Sequence, residues 1–213
     1  MSKLSYLEMR EEMCIVAHLM WERRLTNAAG GNFAVRVEEN RILITPSMMS
    51  EHKHCMLQPD DIMLIDYDEN ILEANKDANL SREGKMHVLL LKGFENIRAT
   101  IHAHPFYCMP FVAMSQPIPN ITDATTGRGY VECIAHSKAY SEDLANNIYS
   151  YFDERRKLAE AKPIGCIMPM HGVVVSGPSL SGAYSMLERI EADAYCTFAK
   201  AVLWPSLSLP KND

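Results

Sequence analysis

The sequence predicts a single-domain α/β fold in which a mixed sheet lies between layers of helices. The chain has 213 residues, and a single hydrophobic core serves chains of up to roughly 250 residues. Apolar residues make up 47% of the chain and charged residues 23%, as in ordinary globular proteins. Segments with helical spacing alternate with short apolar runs typical of strands, without repeats or linkers, which favours helices packed on a sheet.

The first part of the chain contains a predicted helix followed by two strand pairs. Apolar residues recur at steps of three, four or seven over residues 5–25, which predicts an amphipathic helix. Short apolar runs separated by polar turns predict strands over residues 33–37 and 41–45, and again over 62–66 and 71–74.

The remaining elements are predicted from the same two patterns. Ser81 is a suitable N-cap for the next helix, because its hydroxyl can accept a hydrogen bond from a free N–H group of the first turn. Helices are predicted over residues 81–92, 106–114, 141–161 and 179–203, and strands over 99–104, 164–168 and 173–175.

Charge and cysteine usage restrict the partners and the compartment. The formal net charge of −6 argues against binding to nucleic acid or to an anionic membrane through the overall field of the protein. The sequence shows neither a signal peptide nor an apolar run of about 20 residues that could span a membrane. Six scattered cysteines without a C-x-x-C pair are typical of reduced thiols. We therefore expect a cytoplasmic protein that binds a small molecule.

Three histidines are candidate metal ligands. His102 and His104 lie two apart on a predicted apolar strand, where alternate side chains point to the same face and can converge on one ion. His171 precedes a later strand and can supply the third nitrogen. Three ligands with an open fourth position are typical of a catalytic zinc. Taken alone, such a pair is more often one core histidine and one surface histidine.

Other charged residues near these histidines have weaker signals. Glu83 can place a carboxylate beside the metal, with His87 one helical turn later, although an acidic residue in a first helical turn also stabilises the helix by itself. A second H-x-H segment, His52 to His54, has Lys53 between its histidines in a polar loop. We interpret it as a solvated surface with no ligand role.

Several segments, taken in order, carry a family resemblance. They are GGNFAVR at 30–36, LITPS at 43–47, Ser81-Arg82-Glu83 with His87, IHAHP at 101–105, and HGV at 171–173 with Glu188 and Glu191 in the last helix. In this order they resemble the class II aldolase and adducin-head family, and most closely its sugar-phosphate aldolases. The resemblance spans most of the chain.

The resemblance implies a fold, an assembly and a reaction. The fold is a three-layer αβα domain with a mixed, mainly antiparallel central sheet, assembled as a cyclic homotetramer. One zinc per chain, or another divalent metal, is held by His102, His104 and His171, with Glu83 as a fourth ligand until substrate displaces it. Glu83 then transfers a proton. The implied reaction cleaves a ketose 1-phosphate similar to L-fuculose 1-phosphate, through a metal-stabilised enediolate, to dihydroxyacetone phosphate and a short aldehyde.

The resemblance also implies a phosphate site, from which this chain departs at two positions. Its residues match Gly31, Asn32, Ser47 and Ser81, with Arg82 where the family often has a second serine. A glycine usually follows the position of Ser47, whereas this chain has Met48, whose side chain could block the close backbone approach that glycine permits. The guanidinium of Arg82 could bind a phosphate or carboxylate, or could pair with a carboxylate on its own helix.

The general acid is assigned only by a rough match. Asp123 occupies the region where a family aldolase takes a tyrosine from a neighbouring subunit, and an aspartate there is similar to the related L-ribulose-5-phosphate 4-epimerases. The resemblance also leaves open the dehydration of methylthioribulose phosphate and the decarboxylation of phosphorylated keto acids. The non-enzymatic alternative is an adducin-like scaffold module, which lacks the metal residues; the presence of all three histidines and Glu83 favours an enzyme.

Overall fold

The computed structural model describes residues 4–76 and 78–203. Helices and strands alternate along these residues, as expected from the two kinds of apolar spacing. The elements in chain order are α1 (Leu7–Glu22), β1 (Asn32–Glu38), β2 (Arg41–Ile44), α2 (Met49–Lys53), β3 (Met63–Ile65), β4 (Ile71–Glu73), α3 (Gly84–Gly93), β5 (Ala99–Ala103), α4 (Met109–Met114), α5 (Glu142–Glu154), α6 (Arg156–Ala161), β6 (Gly165–Met168), β7 (Gly172–Gly177) and α7 (Leu180–Leu203).

The strands form one open sheet of seven strands in the order β4-β3-β2-β1-β5-β7-β6. Every pair of neighbouring strands is antiparallel, and one isolated bridge, between Cys133 and Ile167, is parallel. The predicted fold class, with a mainly antiparallel sheet, is therefore confirmed.

Each face of the sheet is covered by its own set of helices. One buried cluster joins α1 and α7 to the sheet, and the other joins α3 and α5 to the opposite face. Burial of each large apolar side chain contributes about 1.5–3 kcal/mol, so both helical layers are stabilised mainly by these contacts. Representative buried residues are Met13, Met20, Leu187 and Ile190 in the first cluster, and Leu90, Leu91, Ile148 and Phe152 in the second.

Three local predictions differ from the structure. The N-cap of α3 is Glu83 and not Ser81, because the Ser81 hydroxyl accepts the N–H of Glu83 itself, before the helix begins. The single helix predicted over residues 141–161 is interrupted at Arg155, whose backbone leaves the helical conformation, and so forms α5 and α6. The short helix α2 was not predicted, because a helix of five residues has too few positions to show a period.

Strand β5 lies inside the sheet, between β1 and β7. Its residue His102 is directly opposite Asn32 of β1 and Val174 of β7. Backbone ladders on both sides therefore fix the end of β5, where two of the predicted metal ligands lie. Within residues 4–76 and 78–203, no helix has the length and apolar character required to cross a membrane.

Candidate metal centre and active-site cleft

Three imidazole rings meet at the end of β5, as the sequence predicts. His102 belongs to β5, His104 follows that strand directly, and His171 lies in the turn before β7. The ring centroids are 4.9 Å apart for His102 and His104, 4.8 Å for His102 and His171, and 5.6 Å for His104 and His171. One potential ligand atom from each residue lies within 4.8 Å of the other two, so the three side chains can hold one metal ion.

The hydrogen bonds of His102 leave a ligand nitrogen free. Its Nδ1 lies 3.1 Å from the carbonyl oxygen of Val173, which can only accept, so Nδ1 carries the proton and Nε2 keeps its lone pair. The Nε2 atoms of His102 and His104 are both buried without a hydrogen-bond partner. An unsatisfied buried polar atom costs about 1–3 kcal/mol. A bound metal ion would satisfy both nitrogens, so the residues present fit a divalent metal.

Burial keeps these imidazoles in the neutral form that binds metals. The pKa of His102 is lowered because the ring is buried, and burial, with the nearby His102 and His171, lowers the pKa of His104 to about 3. A protonated imidazole has no lone pair for a metal. At neutral pH both histidines therefore have an unprotonated ring nitrogen that can bind a metal.

Two glycines allow the close packing of these rings. A Cβ atom on Gly30 would lie 2.6 Å from Cε1 of His104, and one on Gly172 would lie 2.6 Å from Cδ2 of His104 and 2.9 Å from Cε1 of His102. These distances are too short for any real contact. The histidine rings can therefore pack in this arrangement only because Gly30 and Gly172 have no side chains.

Glu83 is a buried carboxylate beside the histidines. Its Oε1 lies 3.0 Å from Nε2 of His171, and its Oε2 lies 3.4 Å from Nε2 of His102. Burial alone would raise the pKa of Glu83, but the electrostatic effect of the adjacent His102 ring and the contacts with His171 and Asn32 outweigh it and lower that pKa. The carboxylate is therefore ionised at neutral pH, close enough to the histidine nitrogens to approach the same ion.

A cleft of about 230 Å³ opens beside Glu83, His102 and His171. The five predicted substrate-binding residues all line it: Gly31, Asn32, Ser47, Ser81 and Arg82. Hydroxyl, amide and guanidinium groups therefore face one space next to the histidine cluster, and such groups bind anions.

Arg82 has an aromatic partner rather than an acidic one. Its guanidinium carbon lies 3.8 Å from the ring centroid of Tyr140, and the Tyr140 ring centroid is 6.2 Å from that of His171. Within the described parts of the chain, Arg82 forms no ion pair. The alternative in which Arg82 pairs with a carboxylate on its own helix therefore has no support.

Met48 occupies the position where the resemblance leads us to expect glycine. Its backbone has φ 60° and ψ 23°, a left-handed conformation that costs a residue with a side chain about 1–2 kcal/mol. The loop thus keeps a glycine-like backbone, while the Met48 side chain is 43% exposed and lines the cleft. The departure from the family pattern therefore adds a side chain to the cleft.

Asp123 lies apart from the cleft of its own chain. It is exposed, in the turns between α4 and α5, and is not among the residues that line the cleft. Its neighbours Thr122 and Thr125 donate hydrogen bonds to the buried carboxylate of Asp193 in α7. The structure does not bring Asp123 to the histidine cluster within one chain, and its catalytic role stays a prediction.

Sequence reasoning did not identify Tyr140 as a residue of the cleft. It lies immediately before Ser141, the N-cap of α5, and has φ 66°. No periodic or motif signal marks such a position, because a residue preceding an N-cap is usually a plain loop residue. Only the packing of the loop over α3 brings its ring to Arg82.

The fold and this site together define a class of protein. An open antiparallel sheet between helices, with three buried histidines and a carboxylate beside a polar cleft, is the arrangement of a metal-dependent enzyme acting on a small anionic molecule. Comparison with known proteins makes this class more specific. Residues 11–198 match the family described as Class II Aldolase and Adducin N-terminal domain. The chain belongs to this family and is an enzyme of the class II aldolase type.

Individual relatives indicate the range of chemistry within the family. The chain is 25% identical over 186 residues to an L-fuculose phosphate aldolase of Methanococcus maripaludis, covering 86% of this chain and 92% of that protein. It is 26% identical over 198 residues to a 3-oxo-tetronate 4-phosphate decarboxylase of Haemophilus influenzae, covering 90% and 88%. A solved L-fuculose 1-phosphate aldolase superposes with a TM-score of 0.79 at 22% identity, covering 99% and 94%; this likeness concerns the fold.

Proposed function

We propose that this protein is a zinc-dependent aldolase that cleaves a ketose 1-phosphate similar to L-fuculose 1-phosphate. The products are dihydroxyacetone phosphate and a short aldehyde. The observation that carries the proposal is the convergence of His102, His104 and His171 beside the carboxylate of Glu83, at the bottom of a cleft lined by anion-binding groups.

The donor set supports zinc. Three imidazole nitrogens suit zinc, which is commonly held by histidines in catalytic sites and keeps a further position for substrate or water. Glu83 is near enough to serve as a fourth ligand before substrate binds. When bound, zinc supplies Lewis-acid stabilisation for the negative charge that develops on the oxygens of the sugar.

Glu83 is the residue we assign to proton transfer at carbon. Cleavage breaks the bond between C3 and C4 of the sugar, the C4 hydroxyl loses its proton to become the aldehyde carbonyl, and the electron pair stays on C3, which must then be protonated. Because Glu83 is ionised in the free protein, it takes up one proton from water before cleavage. Oε1, which has no hydrogen-bond partner, can hold that proton and deliver it to C3, while the proton of the C4 hydroxyl is finally returned to water. The same oxygen can remove the proton in the reverse condensation.

We place the substrate phosphate at the mouth of the cleft, against Gly31, Asn32, Ser47, Ser81 and Arg82. Backbone N–H groups, hydroxyls and a guanidinium supply the donors that a phosphate dianion needs. Local binding of this kind is consistent with a net charge of −6, since the overall field of the protein does not attract anions.

The proton of the C4 hydroxyl is assigned to Asp123 of a neighbouring subunit. Asp123 does not line the cleft of its own chain, so it can act only if another copy of the chain brings it there. The homotetramer therefore belongs to this proposal, as does the cytoplasmic location expected from the sequence.

The first experiment measures metal content and cleavage on the same sample. We expect about one zinc per chain and release of dihydroxyacetone phosphate from at least one member of a panel of five- and six-carbon ketose 1-phosphates. Glu83→Gln should lower kcat by about 10²-fold or more, because it removes the proton-transferring group. Glu51→Gln is the matched control, since Glu51 is an exposed acid at the same cleft and should remain active.

The outcomes separate the parts of the proposal. A preparation that binds no divalent metal after incubation with zinc would contradict the metal site and with it the aldolase. Zinc binding without cleavage of any ketose 1-phosphate would retain the metal site and reject the proposed substrate class.

A decarboxylase is the second candidate, and Arg82 is the observation that favours it. Its guanidinium lies in the cleft without an acidic partner in the described residues and can bind a substrate carboxylate bidentately. One relative at 26% identity is named as a decarboxylase of a phosphorylated keto acid. Release of carbon dioxide from 3-oxo-tetronate 4-phosphate, without cleavage of ketose 1-phosphates, would select this alternative. The structure provides no comparable feature for the epimerase, the dehydratase or the scaffold.

A further inference from the structure

We propose that a buried hydrogen-bond chain from Thr100 through His87 fixes the side-chain amide of Asn32 with its N–H toward Glu83, which leaves Oε1 as the free oxygen of that carboxylate. His87 and Thr100 are thereby positioning residues for catalysis. The assignment of Glu83 to proton transfer rests on the proposed function, whereas the orientation of the chain itself does not.

Three short contacts link Glu83, Asn32, His87 and Thr100 one after another. Nδ2 of Asn32 lies 2.7 Å from Oε2 of Glu83. Oδ1 of Asn32 lies 2.6 Å from Nε2 of His87, and Nδ1 of His87 lies 2.7 Å from the hydroxyl oxygen of Thr100. The contacts at 2.7 Å are within the normal range for hydrogen bonds, and the one at 2.6 Å is slightly shorter than that range. The chain runs from β5 through α3 and β1 to the cleft.

Elementary chemistry allows only one direction for the donors. An ionised carboxylate only accepts, so the amide nitrogen of Asn32 must face Glu83 and the amide oxygen must face His87. Because that oxygen also only accepts, Nε2 of His87 must carry a proton. A neutral imidazole then accepts at Nδ1, and the Thr100 hydroxyl donates to it. Starting from the Glu83 carboxylate, each acceptor thus determines which atom of the next residue donates.

Burial makes this direction permanent. The side chains of His87 and Thr100 are fully buried, and Asn32 is 6% exposed, so water cannot replace a lost partner. Burial also lowers the pKa of His87 to about 3, which keeps the ring neutral. Reversing the amide of Asn32 would place its oxygen against Oε2 of Glu83 and leave two buried acceptors in contact, which is strongly unfavourable.

The consequence is that the two oxygens of Glu83 are not equivalent. Oε2 accepts the amide N–H of Asn32. Oε1 is buried and lies 3.0 Å from Nε2 of His171, but the two atoms do not have hydrogen-bond geometry, so Oε1 has no donor fixed on it. A proton is held less readily on an oxygen that already accepts a hydrogen bond from a fixed donor. The chain therefore directs proton transfer to Oε1, on the side of the cleft.

The first test determines the tautomer of His87 directly. Metal-free protein labelled with ¹⁵N-histidine is examined by long-range ¹H–¹⁵N correlation spectra, and His87→Gln assigns the signal. We expect the Nε2–H tautomer, unchanged between pH 6 and 8. The Nδ1–H tautomer or a charged ring in this range would overturn the proposal. This measurement needs no substrate, so it remains decisive even if the proposed aldolase activity fails.

The second test separates hydrogen bonding from packing, with the substrate that the wild-type enzyme cleaves. His87→Leu fills similar space without polar atoms and should lower kcat about tenfold or more, with little change in KM. His87→Gln offers a donor where Nε2 was and an acceptor for Thr100, so it should recover most of this loss. Equal loss in both variants would indicate a packing role and would overturn the positioning role.

Two substitutions on neighbouring strands separate the role of the Thr100 hydroxyl from the general effect of removing a buried hydroxyl. Thr100→Val should lower kcat in the same way as His87→Leu, because it removes the donor at the start of the chain. Ser176 lies opposite Thr100 in β7, is buried, and its hydroxyl has no partner. Ser176→Ala should leave kcat unchanged. Wild-type kinetics in Thr100→Val would overturn the proposal.

Discussion

Two segments of this chain carry the same H-x-H pattern, but one forms part of the candidate metal centre and the other lies at the surface. His102 and His104, at the end of β5, are 0% and 6% exposed and converge with His171. His52 lies in the short helix α2 and is exposed, and His54 is its left-handed C-cap, in ring contact with Trp21 at 5.0 Å. The sequence pattern is identical, so the backbone that carries it decides the function.

The difference follows from the two backbone periods. On a strand, residues two apart point to the same face, whereas on a helix they are separated by about 200° around the axis. The strand at β5 also lies inside the sheet, where burial removes competing water from the nitrogens. A spacing motif is therefore informative about a metal site only together with the element and the depth at which it lies.

The largest expected effect comes from removing one histidine of each pair. His102→Ala should abolish binding of stoichiometric zinc and lower cleavage by at least about 10²-fold, because the metal-dependent stabilisation of charge is lost. His52→Ala should bind zinc and cleave substrate as the wild type does. Metal analysis and kcat/KM on the two variants check this contrast, and similar losses in both would remove the distinction between the segments.

The effect of burial on the histidines near β5 can be tested by measuring stability as a function of pH. The pKa of the fully buried His87, which lies beside the β5 site, is lowered from 6.5 to about 3, so the unfolded chain binds a proton there that the folded chain does not. The contribution of neutral His87 to the free energy of unfolding is complete above pH 6.5 and is lost as the pH falls toward 3. Between pH 6.5 and 4 the loss is about 3 kcal/mol.

The measurement is urea unfolding of metal-free wild type and His87→Gln at a series of pH values. The wild type should lose more stability on acidification than the variant, and the difference between their free energies of unfolding should shrink as the pH falls. Parallel pH curves would show that His87 is not held neutral by the fold.

The packing around the β5 histidines can be disturbed without touching a ligand. Gly172→Ala places a Cβ 2.6 Å from both His104 Cδ2 and the Ala103 carbonyl oxygen, so the rings must shift, and zinc affinity should fall about tenfold or more. In Gly182→Ala the nearest atom is the side-chain oxygen of Ser179 at 3.2 Å. This variant should keep wild-type zinc affinity in competition titrations with a chelator.

The smallest effect is expected at the start of α2. Met48→Gly removes the strain of a side-chain-bearing residue in the left-handed conformation, which should stabilise the folded state by about 1–2 kcal/mol. Glycine also increases the conformational entropy of the unfolded chain, which should lower stability by about 0.5–1 kcal/mol. Stability measured by thermal unfolding should therefore change by less than about 1 kcal/mol. Because a side chain is removed from the cleft, KM for the sugar phosphate should fall while kcat stays constant. An increase in KM would show that Met48 contacts the substrate productively.

Much of the fold was predictable because its signals are local. The helical period at α1 and α7 and the short apolar runs at β5 and β7 are consequences of burial on one or two faces. What the sequence did not reveal depends on contacts between distant residues. The Ser81 hydroxyl was expected to cap α3, but it bonds one residue before the helix, and the break at Arg155 has no glycine or proline to announce it.

The candidate site shows the same division. His102, His104, His171 and Glu83 were predicted from residue type and family resemblance, and the structure brings them together. The contact of Asn32 with both Glu83 and His87 was not predicted, because it joins β1 to α3 through side chains that no spacing rule relates. Asp123 illustrates the limit of a match by position alone, since one chain does not bring it to the cleft.

The ladder between β5 and β7 has a consequence for how this enzyme can diversify. His102 and His171 are far apart along the chain, yet the distance between them is set by the pairing of Ala103 with Val173 and of His102 with Val174. The loop between α4 and α5, residues 115–141, takes no part in this pairing and carries both Asp123 and Tyr140. It can accept substitutions and insertions while the metal ligands keep their geometry. An enzyme of this fold can therefore acquire new substrates by change in this one loop.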